Sequence, residues 1–180
     1  MTEHKFIGIS KLDASKRELD HAIRLFFSYG DFVVIHLTIS ASKTILYDLG
    51  KKSGIVSFKD EMKKLVKPEK WNGLLKILNE PYNFFKHADK DSDKLLKFNP
   101  EVSEYEIWDA INIYQSLTKE ITGLMLSFRC WFYLKHKDIL NKQEDVIMWT
   151  NLSQQINLDD RSFFVELANE YETKRIAGTT

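Results

Sequence analysis

Leu19, Ala22, Ile23, Phe26 and Phe27 recur three and four residues apart. A helix through them puts all five on one face, and that face must be buried against something. The same spacing returns at Ala41, Ile45, Leu46 and Leu49, and at Trp71, Leu74, Leu75 and Leu78. It appears again at Ile107, Trp108, Ile111, Tyr114 and Leu117, and at Leu124, Phe128, Trp131 and Phe132. Strand-like alternation is scarce, and only 7 Gly and 3 Pro interrupt the 180 residues. The expectation is an all-α, single-domain helical bundle over residues 1–180, of about seven or eight helices, with residues 1–13 and 177–180 as flexible termini.

Local signals set the expected boundaries. Ser15 with Glu18 has the spacing of a capping box opening the first helix, and Gly30 is placed to close it. Asp31 then caps a second helix at once, so the two fold back as a hairpin. That second helix is expected to run to the region of Gly50 and Gly54. Ser57 opens a short helix. Pro68 suits the first turn of the next helix, which is expected to stop near Pro81. Either Asn99-Pro100 or Ser103 with Glu106 starts a long helix. Another runs from about Glu120 to His136. Asn141 with Glu144, and later Asp160, look like caps of two final helices.

Charge narrows function. Lys and Arg total 26 and so do Asp and Glu, so no net field draws the chain to nucleic acid or anionic lipid. A single cysteine excludes an internal disulfide and a multi-cysteine zinc site. The apolar run Phe32-Val33-Val34-Ile35 meets His36 almost at once, short of the roughly 20 residues that span a bilayer. With no signal-like apolar core after Met1, the expectation is a cytoplasmic protein without a membrane partner.

The stretch from Asn79 to Pro100 breaks the helical rhythm. Asn83 and His87 stand four apart and share a face if helical. Asp89 is near enough to fix the tautomer of His87, and Lys86 adds a cation for a phosphate. Phe84 and Phe85 are expected to anchor the segment in the core. His36, in an apolar stretch, reads first as a core histidine. The alternative brings it to His87 and Asp89 as an acid–base pair or a metal site. The candidate catalytic set is therefore Asn83, Lys86, His87, Asp89 and His36, and the bland alternative is that Asn83, His87 and Asp89 only secure a turn.

Residues 79–91, Asn-Glu-Pro-Tyr-Asn-Phe-Phe-Lys-His-Ala-Asp-Lys-Asp, resemble the hallmark of a family of uncharacterised bacterial helical proteins, N-F-F-K-H-A-D-[RK]-D. A Leu-x-Phe segment follows, here Leu96-Lys97-Phe98. The likeness extends over most of residues 15–135 and implies no activity. A looser resemblance is to the HEPN superfamily of small α-helical domains, many of them metal-independent ribonucleases. Its signature is Arg, a polar residue such as Asn, and then His. Asn83 and His87 match, whereas Tyr82 stands in place of Arg. A phenol cannot replace a permanently charged bidentate donor, so this likeness speaks to architecture more than to cleavage.

Asp89, Asp91 and Asp93 alternate as a calcium loop begins, but Lys94 and Pro100 stand where Gly and Glu are needed, and a solvated loop is expected instead. His21 reads as a surface residue, and His136 as a helix C-terminal one. Cys130 reads as inert. No cofactor or metal is implied. Two functions follow as expectations: a binding or interaction module acting as a homodimer, or a HEPN-like ribonuclease or nucleotide-handling protein with RNA or nucleotide as partner.

Overall fold

A computed structural model describes residues 6–87, 89, 92–137, 140 and 142–178. Among the described residues the fold is all-α. Its helices are α1 (Lys11–Phe27), α2 (Phe32–Lys52), α3 (Phe58–Leu65), α4 (Pro68–Lys86), α5 (Glu101–Thr118), α6 (Gly123–Lys135), α7 (Gln143–Ser153) and α8 (Arg161–Ile176). α1 packs along α2, α2 along α5, and α6 along α8. The expected stripes supply most of the core: Leu19, Ile23 and Phe26 from α1, Ile107 and Ile111 from α5, and Phe128 and Phe132 from α6 are all buried.

The first helix begins earlier than its apolar pattern suggests. Ser10, not Ser15, is the N-cap. Its hydroxyl accepts from the Asp13 N–H while the Asp13 carboxylate accepts from the Ser10 N–H, so residues 11–13 of the expected flexible terminus are helical. Ser15 is instead buried inside the helix. Its hydroxyl donates to the Leu12 carbonyl, and its own carbonyl accepts from the Ser42 hydroxyl at 2.7 Å, which binds α1 to α2.

The end of α1 shifts by one residue as well. The Gly30 N–H reaches back to Leu25 O and the Tyr29 N–H to Phe26 O, a Schellman arrangement. The left-handed residue within it is Tyr29 (φ 55°) and not Gly30. A tyrosine in that conformation is strained. It is held by its hydroxyl bond to the Asp159 carbonyl and by the Arg161 guanidinium, 4.4 Å from its ring centroid. Arg161 also donates to the Phe26 carbonyl, placing a cation at the helix C-terminus.

Asp31 caps α2 as expected, accepting from the N–H groups of Val33 and Val34. The buried face of α2 runs through Ile35, Ile39, Ser42, Leu46 and Gly50, while Ala41, Ile45 and Leu49 from the expected stripe are half-buried. α2 is long and apolar enough to cross a membrane by length and composition alone. Its polar residues His36, Ser40 and Ser42 are buried against α5 and α1.

Ser57 opens α3 through a capping box with Asp60, and Pro68 opens α4. α4 then continues through Pro81 to Lys86 instead of stopping there. Neither α3 nor α4 holds a fully buried side chain, and Trp71, Leu74, Leu75 and Leu78 are only half-buried. The two helices therefore form a lightly attached wall beside α2 and α5.

Of the two expected starts for α5, Asn99-Pro100 is the one used. Asn99 Oδ1 accepts from the Glu101 N–H, and Ser103 and Glu106 lie buried within the helix. Asp160 precedes α8, but its carboxylate accepts from the Ser162 hydroxyl instead of capping the backbone. Of the expected caps of α7, Asn141 lies outside the described residues; the described N-cap, Lys142, makes no side-chain cap hydrogen bond.

α6 and α8 approach closely at Gly123, where a β-carbon would overlap the carbonyl oxygen of Ala168. The Gly123 N–H donates to the Glu172 carboxylate at 2.5 Å. Gly123→Ala should force these helices apart at a cost of about 1–3 kcal/mol. In thermal unfolding it should appear as a melting temperature several degrees below wild type, and an unchanged midpoint would contradict this packing.

Candidate functional site

The sequence-derived candidates separate in the structure. Asn83 and Lys86 are exposed on α4. His87 caps its C-terminus with extended dihedrals (φ −133°, ψ 139°), and its backbone N–H donates to the Asn83 carbonyl at 3.1 Å. Leaving the helical path at this point carries the His87 side chain off the face shared by residues four apart. The imidazole is exposed, as is Asp89, and no side-chain hydrogen bond joins the two. Lys86 Nζ lies 3.4 Å from the Tyr82 hydroxyl and 5.1 Å from its ring centroid. Of the calcium-like run, Asp91 lies outside the described residues.

His36 is fully buried. Its Nδ1 lies 3.2 Å from the Ser103 hydroxyl and 3.5 Å from the Glu106 carboxylate, and Nε2 has no partner among the described residues. Phe98 and Phe85 pack on the ring, with centroids 5.0 and 6.1 Å away. The motif region therefore reaches His36 through its aromatic residues, not through His87 or Asp89. Burial lowers the His36 pKa below the ordinary histidine range, the Glu106 charge opposes this, and the Lys43 ammonium adds to it.

A second set of polar residues, not anticipated from sequence, lies beside His36. Glu106 is 8% exposed. Its carboxylate accepts from the Ser40 hydroxyl at 2.7 Å and from Lys43 Nζ at 2.8 Å. One turn on, Asp109 accepts from the Phe58 N–H at 3.0 Å, which ties the start of α3 to α5. Burial raises the Asp109 pKa, against the Phe58 hydrogen bond and the Lys43 charge. Tyr47 donates to Asp60 at 3.1 Å. A readable signal was present: His36, Ser40, Lys43 and Tyr47 share one helical face, and Ser103, Glu106 and Asp109 form a polar row on another helix.

Of these groups, Lys43, Tyr47, Glu106 and Asp109 line a cleft of about 380 Å³ between α2, α3, α4 and α5. Met62, Leu75, Leu78 and Val102 form apolar parts of its wall, and Lys59 stands at its edge with Nζ 4.8 Å from the Tyr47 ring centroid. None of Asn83, Lys86, His87, Asp89 and His36 lines it. The arrangement can hold a small molecule by an apolar body and a few fixed polar contacts. Among the described residues no group of three or more His, Cys, Asp or Glu side chains is placed to hold a metal ion.

A separate buried cluster lies between α5 and α6. His136, expected only as a helix-end residue, has Nε2 2.8 Å from Glu104 and Nδ1 3.1 Å from the Tyr105 hydroxyl. Lys135 bonds both oxygens of the same carboxylate, at 2.9 and 2.8 Å. Every polar atom of the imidazole and carboxylate pair is thus engaged within the protein, which marks the cluster as a clamp between helices. His21 is exposed, and Cys130 is half-buried with its thiol pKa raised by burial.

Comparison with protein-family models, curated proteins and solved structures finds no match.

The lowered His36 pKa gives a signed pH dependence. The neutral ring is favoured in the folded state, so its contribution is complete above the unfolded-state value of about 6.5. It is lost as pH falls below that value toward the lower folded pKa. In denaturant titrations, the stability of wild type relative to His36→Gln should decline steadily from pH 7 to pH 5. A difference that stays constant over that range would contradict a buried, neutral His36.

Proposed function

We propose that the chain is a ligand-binding module and that the cleft between α2 and α5, walled by α3 and α4, is its binding site. The observation that carries this reading is a concave, largely apolar space floored by polar side chains that are already held in place. Glu106 is fixed by Ser40 and Lys43, and Asp109 by the Phe58 amide, so the floor needs little reorganisation to receive a ligand. The lightly packed wall supports the same reading, because elements that admit ligands come from the less stable part of a fold. The ribonuclease reading would instead centre on the exposed Asn83, Lys86 and His87, where Tyr82 occupies the position of the signature Arg.

Asn79 is exposed on α4 at the cleft, and Asn79→Trp should fill the space without disturbing the core. In ligand-observed NMR with a library of small aromatic and amphipathic fragments, wild type should bind a subset at about micromolar to millimolar Kd. Asn79→Trp should weaken these by at least about tenfold while its melting temperature stays close to wild type. An absence of binders, or binders indifferent to Asn79→Trp, would overturn the reading. Incubation with RNA in EDTA tests the other possibility: cleavage lost in His87→Ala would favour the ribonuclease.

A further inference from the structure

We propose that the ligand of this cleft is an amphipathic organic anion, a carboxylate or similar acid on an apolar body, whose charged end is received by Lys59 and Lys43. This inference rests on the cleft being a binding site.

The charge pairing around the cleft is uneven. Glu106 is occupied by Ser40 and Lys43, Asp109 by the Phe58 N–H, and Asp60 by Ser57 and the Tyr47 hydroxyl. The carboxylates nearest the interior therefore already have donors, and Asp48 lies at the exposed rim. Lys59 differs from them. Its ammonium rests over the Tyr47 ring, and no ion pair or hydrogen bond with a described residue satisfies it. Lys43 uses one of its three donors on Glu106 and keeps others toward the cleft.

Lys43 and Lys59 line the same opening as Asp48, Glu106 and Asp109, and of these two ammoniums Lys59 makes no ion pair or hydrogen bond with a described residue. Burial first and the Lys43 charge second lower the Lys59 pKa, while Asp60 and Asp48 oppose them. An anion placed between them would relieve that repulsion and accept charge-assisted hydrogen bonds. A cation would meet the same two charges and find the inner carboxylates engaged. Phe58, Met62, Leu75 and Leu78 then cover the apolar remainder of the ligand.

Isothermal titration of the full chain with decanoate, decan-1-ol and decyltrimethylammonium, each below its micellar concentration, separates the possibilities. Decanoate should bind at least about tenfold tighter than either of the others. Lys59→Met should weaken decanoate by about tenfold and leave decanol within roughly twofold, whereas Lys59→Arg should keep most of the decanoate affinity. Lys59 is only half-buried, so both variants should fold, and their melting curves check this. Decanol or the ammonium binding as tightly as decanoate, or decanoate indifferent to Lys59→Met, would overturn the anion assignment while the cleft remains a binding site. Failure of all three probes to bind, or binding that survives Asn79→Trp, would overturn both.

Discussion

A carboxylate at 8% exposure has to be surrounded by donors, and Glu106 sets that requirement at the contact of α2 with α5. Ser40 and Lys43 meet it from the opposite helix, which fixes which face of α2 can lie on α5. With that register set, His36 falls against Ser103, and Tyr47 and Asp109 fall on the same side. The apolar stripes alone would tolerate helices sliding by a turn, because hydrophobic contact is non-directional. The polar seam does not tolerate such a slip, since a slip would strand a charge.

The cleft follows from the same constraint. Where α2 and α5 carry charged and hydroxyl side chains instead of aliphatic ones, the core of α1, α2, α5 and α6 cannot close over them. α3 is tied back by the Phe58 N–H to Asp109 and by the Tyr47 hydroxyl to Asp60, and α4 rests over the remainder without a fully buried side chain. A rigid floor beneath a loosely held wall suits recognition of something small and amphipathic. The cluster of Glu104, Lys135 and His136 between α5 and α6 pairs its charges with one another.

Much of the helical layout could be read from short-range features. Asp31, Ser57 and Pro68 mark helix starts because capping and proline geometry act within one turn. Structure and local pattern differ where two local signals compete. Ser15 and Glu18 imitate a capping box, but Ser10 with Asp13 starts the helix five residues earlier, and Ser15 lies within it with its carbonyl accepting from the Ser42 hydroxyl. Pro81 reads as a terminator, yet α4 passes through it. The site was harder to see because its partners are distant in sequence: Ser40 and Glu106 are 66 residues apart. Asn83, His87 and Asp89 form a dense polar cluster in sequence, and the chain's departure from the helix at His87 disperses it. Phe85 and Phe98, between and after those residues, are the ones that reach the interior.

The coupling between Lys43 and Glu106 tests this account most directly. A double-mutant cycle with Lys43→Met, Glu106→Gln and the pair, read by denaturant unfolding, isolates their interaction from the cost of each substitution. An organising contact should show a favourable coupling above about 1 kcal/mol. Coupling indistinguishable from zero would mean that the seam does not hold α2 and α5 in register, and the derivation of the cleft from it would fall.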